Sequence, residues 1–180
     1  MQFSKTLLFL VALLSAGSVF AQEKINIVKV GGSLLGIDVD YYGGAGFSIE
    51  HQLRQKTTLG FNVDYNSTSS KSADGSMQED RETFLTIEPE FRFYKHSATQ
   101  GFYVGLAPSL LLARSTLYGI VDDRLSEAFF AVALKTGYQF PITPRLHLQF
   151  GGGIGLLSTL SDIDEGILHY RVNLMLGYRI

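Results

Sequence analysis

The sequence predicts an all-β protein: an eight-stranded antiparallel up-and-down transmembrane β-barrel following a cleavable signal peptide. Three observations carry this prediction. Segment after segment alternates apolar and polar residues with a period of two, short and long links alternate between these segments, and the 180-residue chain opens on an export leader.

The leader is MQFSKTLLFLVALLSAGSVFAQ. Lys5 precedes an apolar run from Leu7 to Leu14, and small residues lead to Val19-Phe20-Ala21, which fits cleavage after Ala21. Residues 1–21 are therefore expected to be a signal peptide and 22–180 a single barrel domain. Composition is 46% apolar and only 18% charged, oilier than most soluble domains and incompatible with disorder. The 15 Lys and Arg against 17 Asp and Glu give −2, and loss of Lys5 leaves 14 against 17, or −3. No basic patch points to nucleic acid. The chain has no cysteine, which removes disulfides, thiolate metal sites, a cysteine nucleophile and a lipidated cysteine. Beyond the leader no apolar run approaches the roughly 20 residues of a membrane helix, so any membrane crossing must use a closed barrel.

The segments follow in order. The first places Val28, Val30 and Leu34 on one parity, the second Ala45, Phe47 and Ile49, and the third Leu59, Phe61, Val63 and Tyr65. The fourth, TFLTIEPEFRFY, sets Leu85, Ile87, Pro89, Phe91 and Phe93 against Thr86, Glu88, Glu90 and Arg92. The fifth sets Phe102, Val104, Leu106, Leu110 and Leu112 against Tyr103, Gly105, Ala107 and Ser109. The sixth sets Phe130, Val132, Leu134 and Tyr138 against Ala131, Ala133, Lys135 and Gly137. The seventh sets Leu146, Leu148, Phe150, Ile154 and Leu156 against His147, Gln149 and three glycines. The eighth, YRVNLMLGYRI, alternates Tyr170, Val172, Leu174, Leu176 and Tyr178 with Arg171, Asn173 and Arg179. Such alternation is a strand with two unlike faces, each about the 9 to 11 residues a tilted spanning strand needs. Long or polar links are expected near 36–42, 66–82, 114–127 and 158–166, and short ones near 54–56, 95–100 and 141–145, the polarity of outer-membrane barrels.

The polar parity carries Glu50, Gln52, Asn62, Asp64, Glu88, Glu90, Arg92, Lys135, His147, Gln149, His169, Arg171, Asn173 and Arg179, together with many glycines and alanines. A cation facing lipid at the bilayer midplane costs roughly 2–4 kcal/mol, so this face is expected inside and the apolar one in lipid. Tyr65, Phe84, Phe129 and Tyr170 fall near one set of strand ends and Phe93, Tyr94, Phe102, Phe140 and Tyr178 near the other, which reads as two interfacial girdles.

With EPEFRFY, GFYVGLAPSL and the NLMLGYRI ending, the mature chain resembles the small eight-stranded outer-membrane barrels of the OmpX kind and the transmembrane part of OmpA. The resemblance is one of pattern along the whole mature chain. It implies location in the outer membrane of a Gram-negative bacterium, contact with outer-membrane lipid and lipopolysaccharide, and insertion by the barrel-assembly machinery through a last strand that usually ends in an aromatic. Tyr178 keeps that character, whereas Ile180 stands at the end itself.

The inward charges Glu50, Asp64, Glu88, Glu90, Arg92, Lys135, Arg171 and Arg179 form a candidate lumen network. It fits a neutralised plug better than an ion path, because charges in so narrow a barrel must find partners. His147 and His169 share the inward parity but belong at opposite strand ends, which argues against a metal pair. Lipid-modifying barrels use His with Ser and an acid at the outer rim, and His169 lies near Ser158, Ser161, Asp162, Asp164 and Glu165 in sequence, without a His-x-Ser element. GGAG at 43–46 and GGGIG at 151–155 lack the Lys-Ser/Thr and the helix of a phosphate loop, and glycines on a strand wall allow close packing. DIDE and VDD read as solvated loop segments. The expected function is structural or surface-interacting, through extracellular loops that meet an unknown partner, with no cofactor, metal or catalytic residue assigned. A lipid-modifying enzyme and a narrow channel are the alternatives.

Overall fold

The computed structural model describes residues 25–71, 79–117, 120–121, 127–159 and 166–180. The leader, cleavage site and DIDE segment lie outside them, as do most of VDD and the tip of the 66–82 link. The strands are β1 (Asn26–Ile37), β2 (Asp40–Arg54), β3 (Thr57–Lys71), β4 (Glu79–Tyr94), β5 (Gly101–Leu117), β6 (Ile120–Val121), β7 (Glu127–Pro141), β8 (Leu146–Thr159) and β9 (Ile167–Arg179). The two-residue β6 only folds back onto the end of β5. The other eight pair antiparallel in sequence order, and β1 pairs with β9, so the sheet closes as an up-and-down barrel without an edge.

Alternation dictates this wall. Along β4, Thr86, Glu88, Glu90, Arg92 and Tyr94 are buried, while the intervening Leu85 and Phe93 are exposed at 36% and 56%. The same inversion recurs on β7, where Leu134 is 67% exposed and Lys135 only 6%. Such a wall suits lipid and not water.

The ladders are interrupted on two seams: the β2–β3 register shifts between Gln52 and Arg54 next to the turn, and the β4–β5 pairing has a gap. On the β4–β5 seam the pairing passes from Ile87–Leu110 directly to Phe91–Leu106, and Pro89 and Pro108 lie between, neither with an N–H to donate.

Some links differ from expectation. The 36–42 stretch is not a long loop: β1 runs to Ile37, β2 begins at Asp40, and Asp38 takes a positive φ of 54° in the two-residue turn. Gly and Asp residues there mimic loop composition but continue the ladder, and an aspartate tolerates the left-handed conformation. The 95–100 link is short as expected, and it also folds over the barrel mouth. The Ala98 amide donates to the Gln55 carbonyl at 2.6 Å, and Ala98 and Thr99 are buried.

Three expected girdle aromatics face inward instead. Phe84, Phe129 and Tyr94 share parity with Thr86, Ala131 and Arg92, so proximity to a strand end does not override the pleat. Phe84 joins Leu35, Tyr42, Leu111, Ala131 and Leu157 in an apolar cluster that fills the lumen at the end bearing the longer links, with Ile37, Ala113 and Phe129 against it. Tyr65, Phe93, Phe102, Phe140 and Tyr178 do face outward, with about half their surface exposed.

GGGIG is explained by what faces its glycines. A Cβ at Gly151 would meet Tyr103 Oη at 2.5 Å, one at Gly153 would meet Lys135 Cγ at 2.7 Å, and one at Gly155 would meet His169 Cε1 at 2.6 Å. Each missing side chain makes room for a large one in the lumen. Gly153→Val is therefore expected to lower stability by about 1–3 kcal/mol through overpacking. Gly43→Ala, with nothing within 4 Å of its added Cβ, should be near neutral. Urea titration in detergent micelles, read as the fraction of the fast-migrating folded band on unheated gels, checks both.

Candidate functional site

The lumen between the apolar cluster and the 95–100 link holds a single unbranched chain of ion pairs. Lys29 pairs with Glu50. Glu50 then meets Arg92 at 3.1 Å, and Arg92 meets Glu90 at 2.7 Å. Glu90 reaches Lys135 at 3.4 Å, and Lys135 pairs with Glu88. Glu88 continues to Arg171 at 3.3 Å, and Arg171 ends the chain on Asp64 at 3.0 Å. Four cations alternate with four anions, so the network is neutral.

Neutral side chains complete it. Thr58 and the Tyr94 hydroxyl donate to Glu50 Oε1 at 2.6 and 2.7 Å. Asn62 donates to both Glu88 and Glu90 at 3.0 Å. Lys29 also donates to Gln139 and Gln149, and Arg92 to Gln149 at 2.8 Å. The Arg92 guanidinium lies 4.6 Å from the centroid of the Tyr103 ring, within cation–π range. Gln139 turns its amide to the Thr99 carbonyl at 2.7 Å, tying the network to the link that covers the mouth. All eight long strands contribute a side chain. Such an arrangement locks strands together and occupies the bore.

Of the residues singled out from sequence, Glu50, Asp64, Glu88, Glu90, Arg92, Lys135 and Arg171 meet in this chain. Arg179 does not: it is half-buried at the end of β9 and has no ion pair among the described residues. Lys29 was missed, although its parity between Val28 and Val30 marks it as inward. Gln139 was not singled out, Tyr94 is expected in a girdle because it lies near a strand end, and Tyr103 is on the inward parity without being counted in the network.

His147 lies at the start of β8 opposite Gly177, and His169 at the start of β9 opposite Gly155, so the two occupy opposite ends of the barrel. His169 is turned into the lumen, whereas Ser158 shares the outward parity of Ile154 and Leu156. Ser161, Asp162, Asp164 and Glu165 lie outside the described residues.

A closed eight-stranded wall, apolar outside and charged within, is the fold of the small outer-membrane β-barrels. The chain belongs to the family described as "Protein of unknown function (DUF3575)", which matches residues 10–165. Among solved structures, Ail of Yersinia pestis, crystallised in complex with the heparin analogue sucrose octasulfate, is similar at a TM-score of 0.60 and 13% identity. That alignment covers 88% of this chain and 100% of Ail. Neisserial surface protein A is similar at a TM-score of 0.50 and 13% identity, over 88% of this chain and 98% of that one. No curated protein matches the sequence.

The alternating chain predicts unequal costs for its members. Glu50→Leu leaves Lys29 without its carboxylate and Arg92 with one of two, and should cost about 3–5 kcal/mol. Asp64→Leu should cost less, because Arg171 keeps Glu88. Adding Lys29→Met to Glu50→Leu should recover part of the loss. The chain has no tryptophan, so far-UV circular dichroism against urea is the appropriate readout.

Proposed function

We propose that this protein is a non-enzymatic outer-membrane barrel with a filled lumen, structural in the membrane and surface-interacting through its long-link rim. In this reading residues 1–21 are removed after Ala21, and the barrel-assembly machinery inserts the remainder through β9. The loop end then faces outward, toward lipopolysaccharide and an extracellular partner.

The observation that carries the reading is the closure of the bore at three levels. The Leu35–Tyr42–Phe84–Leu111–Leu157 cluster fills one end, the neutral ion-pair chain the middle, and the link with buried Thr99 the other end. A plugged barrel has only its outside surface and its rim to work with. The rim is uneven: β3 and β4 pair as far as Lys71–Glu79, whereas the β2–β3 ladder stops at Gly43–Ser67. One side of the barrel therefore stands above the short β1–β2 hairpin. Ail, of similar fold, was crystallised with a polyanionic sugar, and a ligand of that chemistry is one candidate for the rim here.

The test is extraction of the full chain from membranes into detergent, gel mobility with and without heating, and single-channel recording on the same sample. A heat-modifiable band without stepwise conductance is expected. Steady conductance from folded protein would favour the channel, and recovery of the protein in the soluble fraction would end the membrane reading.

A further inference from the structure

Arg171 uses only part of its guanidinium. Nη1 makes both of its ion pairs, with Asp64 at 3.0 Å and Glu88 at 3.3 Å, while Nε and Nη2 are buried and have no hydrogen-bond partner. The whole residue is 3% exposed, so this edge faces the lumen and not bulk water. A guanidinium stays charged and cannot accept a hydrogen bond, so an unpaired edge of it inside the barrel calls for an acceptor of its own. The fork of Nε and Nη2 is also the edge that receives anions with charge-assisted hydrogen bonds.

Register brings further unpaired groups to the same part of the lumen. His169 stands two residues before Arg171 on the same face of β9; its Nδ1 has no partner, and the ring's hydrogen bond goes to the Gly155 backbone. Thr86 lies in register with Asp64 and two residues from Glu88, the two carboxylates that meet Nη1, and its buried hydroxyl is unpaired. Ser109, also buried and unpaired, falls opposite Glu88 in the gap of the β4–β5 ladder. The wall between these groups is built of small residues. Ala107, Ala133, Gly155 and His169 follow one another across β5, β7, β8 and β9, and Gly153 separates Lys135 from Arg171. The charged groups that face His169 are Arg171 of its own strand, Lys135 of β7 and Glu88 of β4, with Asp64 of β3 reached through Arg171. From β1 it meets Ile37, while Asp38 is exposed in the turn and Glu82 accepts from the Tyr42 hydroxyl of β2.

We propose that this part of the lumen binds a halide-sized monovalent anion, chloride, together with a proton. The Arg171 fork and the Thr86 and Ser109 hydroxyls donate to the ion. Arg171 and Lys135 are already balanced by Asp64 and Glu88, so the ion alone would bring an uncompensated charge into the bore. His169 supplies the compensation. Protonated at Nδ1, it adds one positive charge and one more donor at the same place. Anion and proton therefore enter as a neutral pair, and each strengthens the other's binding by the same factor. The small residues at Ala107, Ala133 and Gly155 and the single histidine favour a halide over the larger, doubly charged sulfate or phosphate. The site needs no open path, because the ion is taken up as the barrel folds around it.

The experiment is anomalous diffraction at the bromine edge from the full chain, refolded and crystallised in sodium bromide at about pH 5 and about pH 8, on either side of the ordinary histidine range. The expected result is a bromide peak at the Arg171 Nε–Nη2 edge in the acid crystals that loses most of its occupancy in the alkaline ones. His169→Gln should remove most of the acid peak, and Ser109→Ala should lower it less. Water without anomalous signal at that edge, or bromide only on exposed cations such as Arg145, would overturn the site. A peak of equal strength at both pH values, or one unaffected by His169→Gln, would overturn its coupling to a proton. A second readout in detergent solution is the urea midpoint of the unheated folded band in bromide against gluconate at equal ionic strength. Bromide should raise the midpoint more at the acid pH than at the alkaline one in the unsubstituted chain, and this difference should vanish in His169→Gln; its absence from the unsubstituted chain counts against the site. The folded band shows that each variant has folded, and Ser109→Ala serves alone if His169→Gln does not.

Discussion

Glu90 accepts from Arg92 and Lys135 and from Asn62, and the need to satisfy it is typical of every charge in this barrel. An eight-stranded wall encloses a bore about one side chain wide, so a lumen charge cannot keep its own hydration. Desolvating each ion costs several kcal/mol, and only a partner of opposite sign with good geometry offsets this. The alternation of Lys29, Glu50, Arg92, Glu90, Lys135, Glu88, Arg171 and Asp64 is the arrangement in which no ion is left with a like neighbour only. Its worth lies less in net stability than in register. Slipping one strand by one residue would turn its charges into lipid and break contacts to several other strands at once.

Room for this chain comes from what the wall omits. Gly151, Gly153 and Gly155 give way to Tyr103, Lys135 and His169, and Gly105 stands with its hypothetical Cβ 3.0 Å from Glu90 Oε1. Long side chain and glycine therefore face each other across strands, so volume and charge are balanced in the same positions. The apolar cluster around Leu35 and Leu111 continues this filling beyond the charges, with Tyr42 and Phe84 packed edge to face at 4.6 Å.

Much of this was legible before any coordinates, because parity is a property of sequence. Glu88, Glu90 and Arg92 alternate with aliphatics and aromatics that cannot share their face, and the count and antiparallel order of strands follow from the segments and links. What was not legible depends on where strands stop and on which neighbours they meet. The 36–42 stretch has the composition of a loop and the geometry of a hairpin. Phe84, Phe129 and Tyr94 were judged by strand end instead of by parity. Lys29 belongs to a strand whose alternation is interrupted by Gly31-Gly32, and nothing local says that it will meet Glu50. The pairing of Asp64 with Arg171 spans more than half the chain, and the closure of the mouth by Thr99 is tertiary.

The contrast between the two polar surfaces bears on function. Inside, the eight charges of the ion-pair chain cancel between the apolar cluster around Leu35 and Leu111 and the link that carries Thr99. Outside, the apolar rungs of β3–β5 end at Tyr65, Leu85 and Leu112, and the next outward rung is Ser67, Thr83 and Arg114, on the side where β3 and β4 outreach the β1–β2 hairpin. The distribution of charge thus ties the lumen to architecture: its ion pairs join strands to one another, while the outward wall stays apolar.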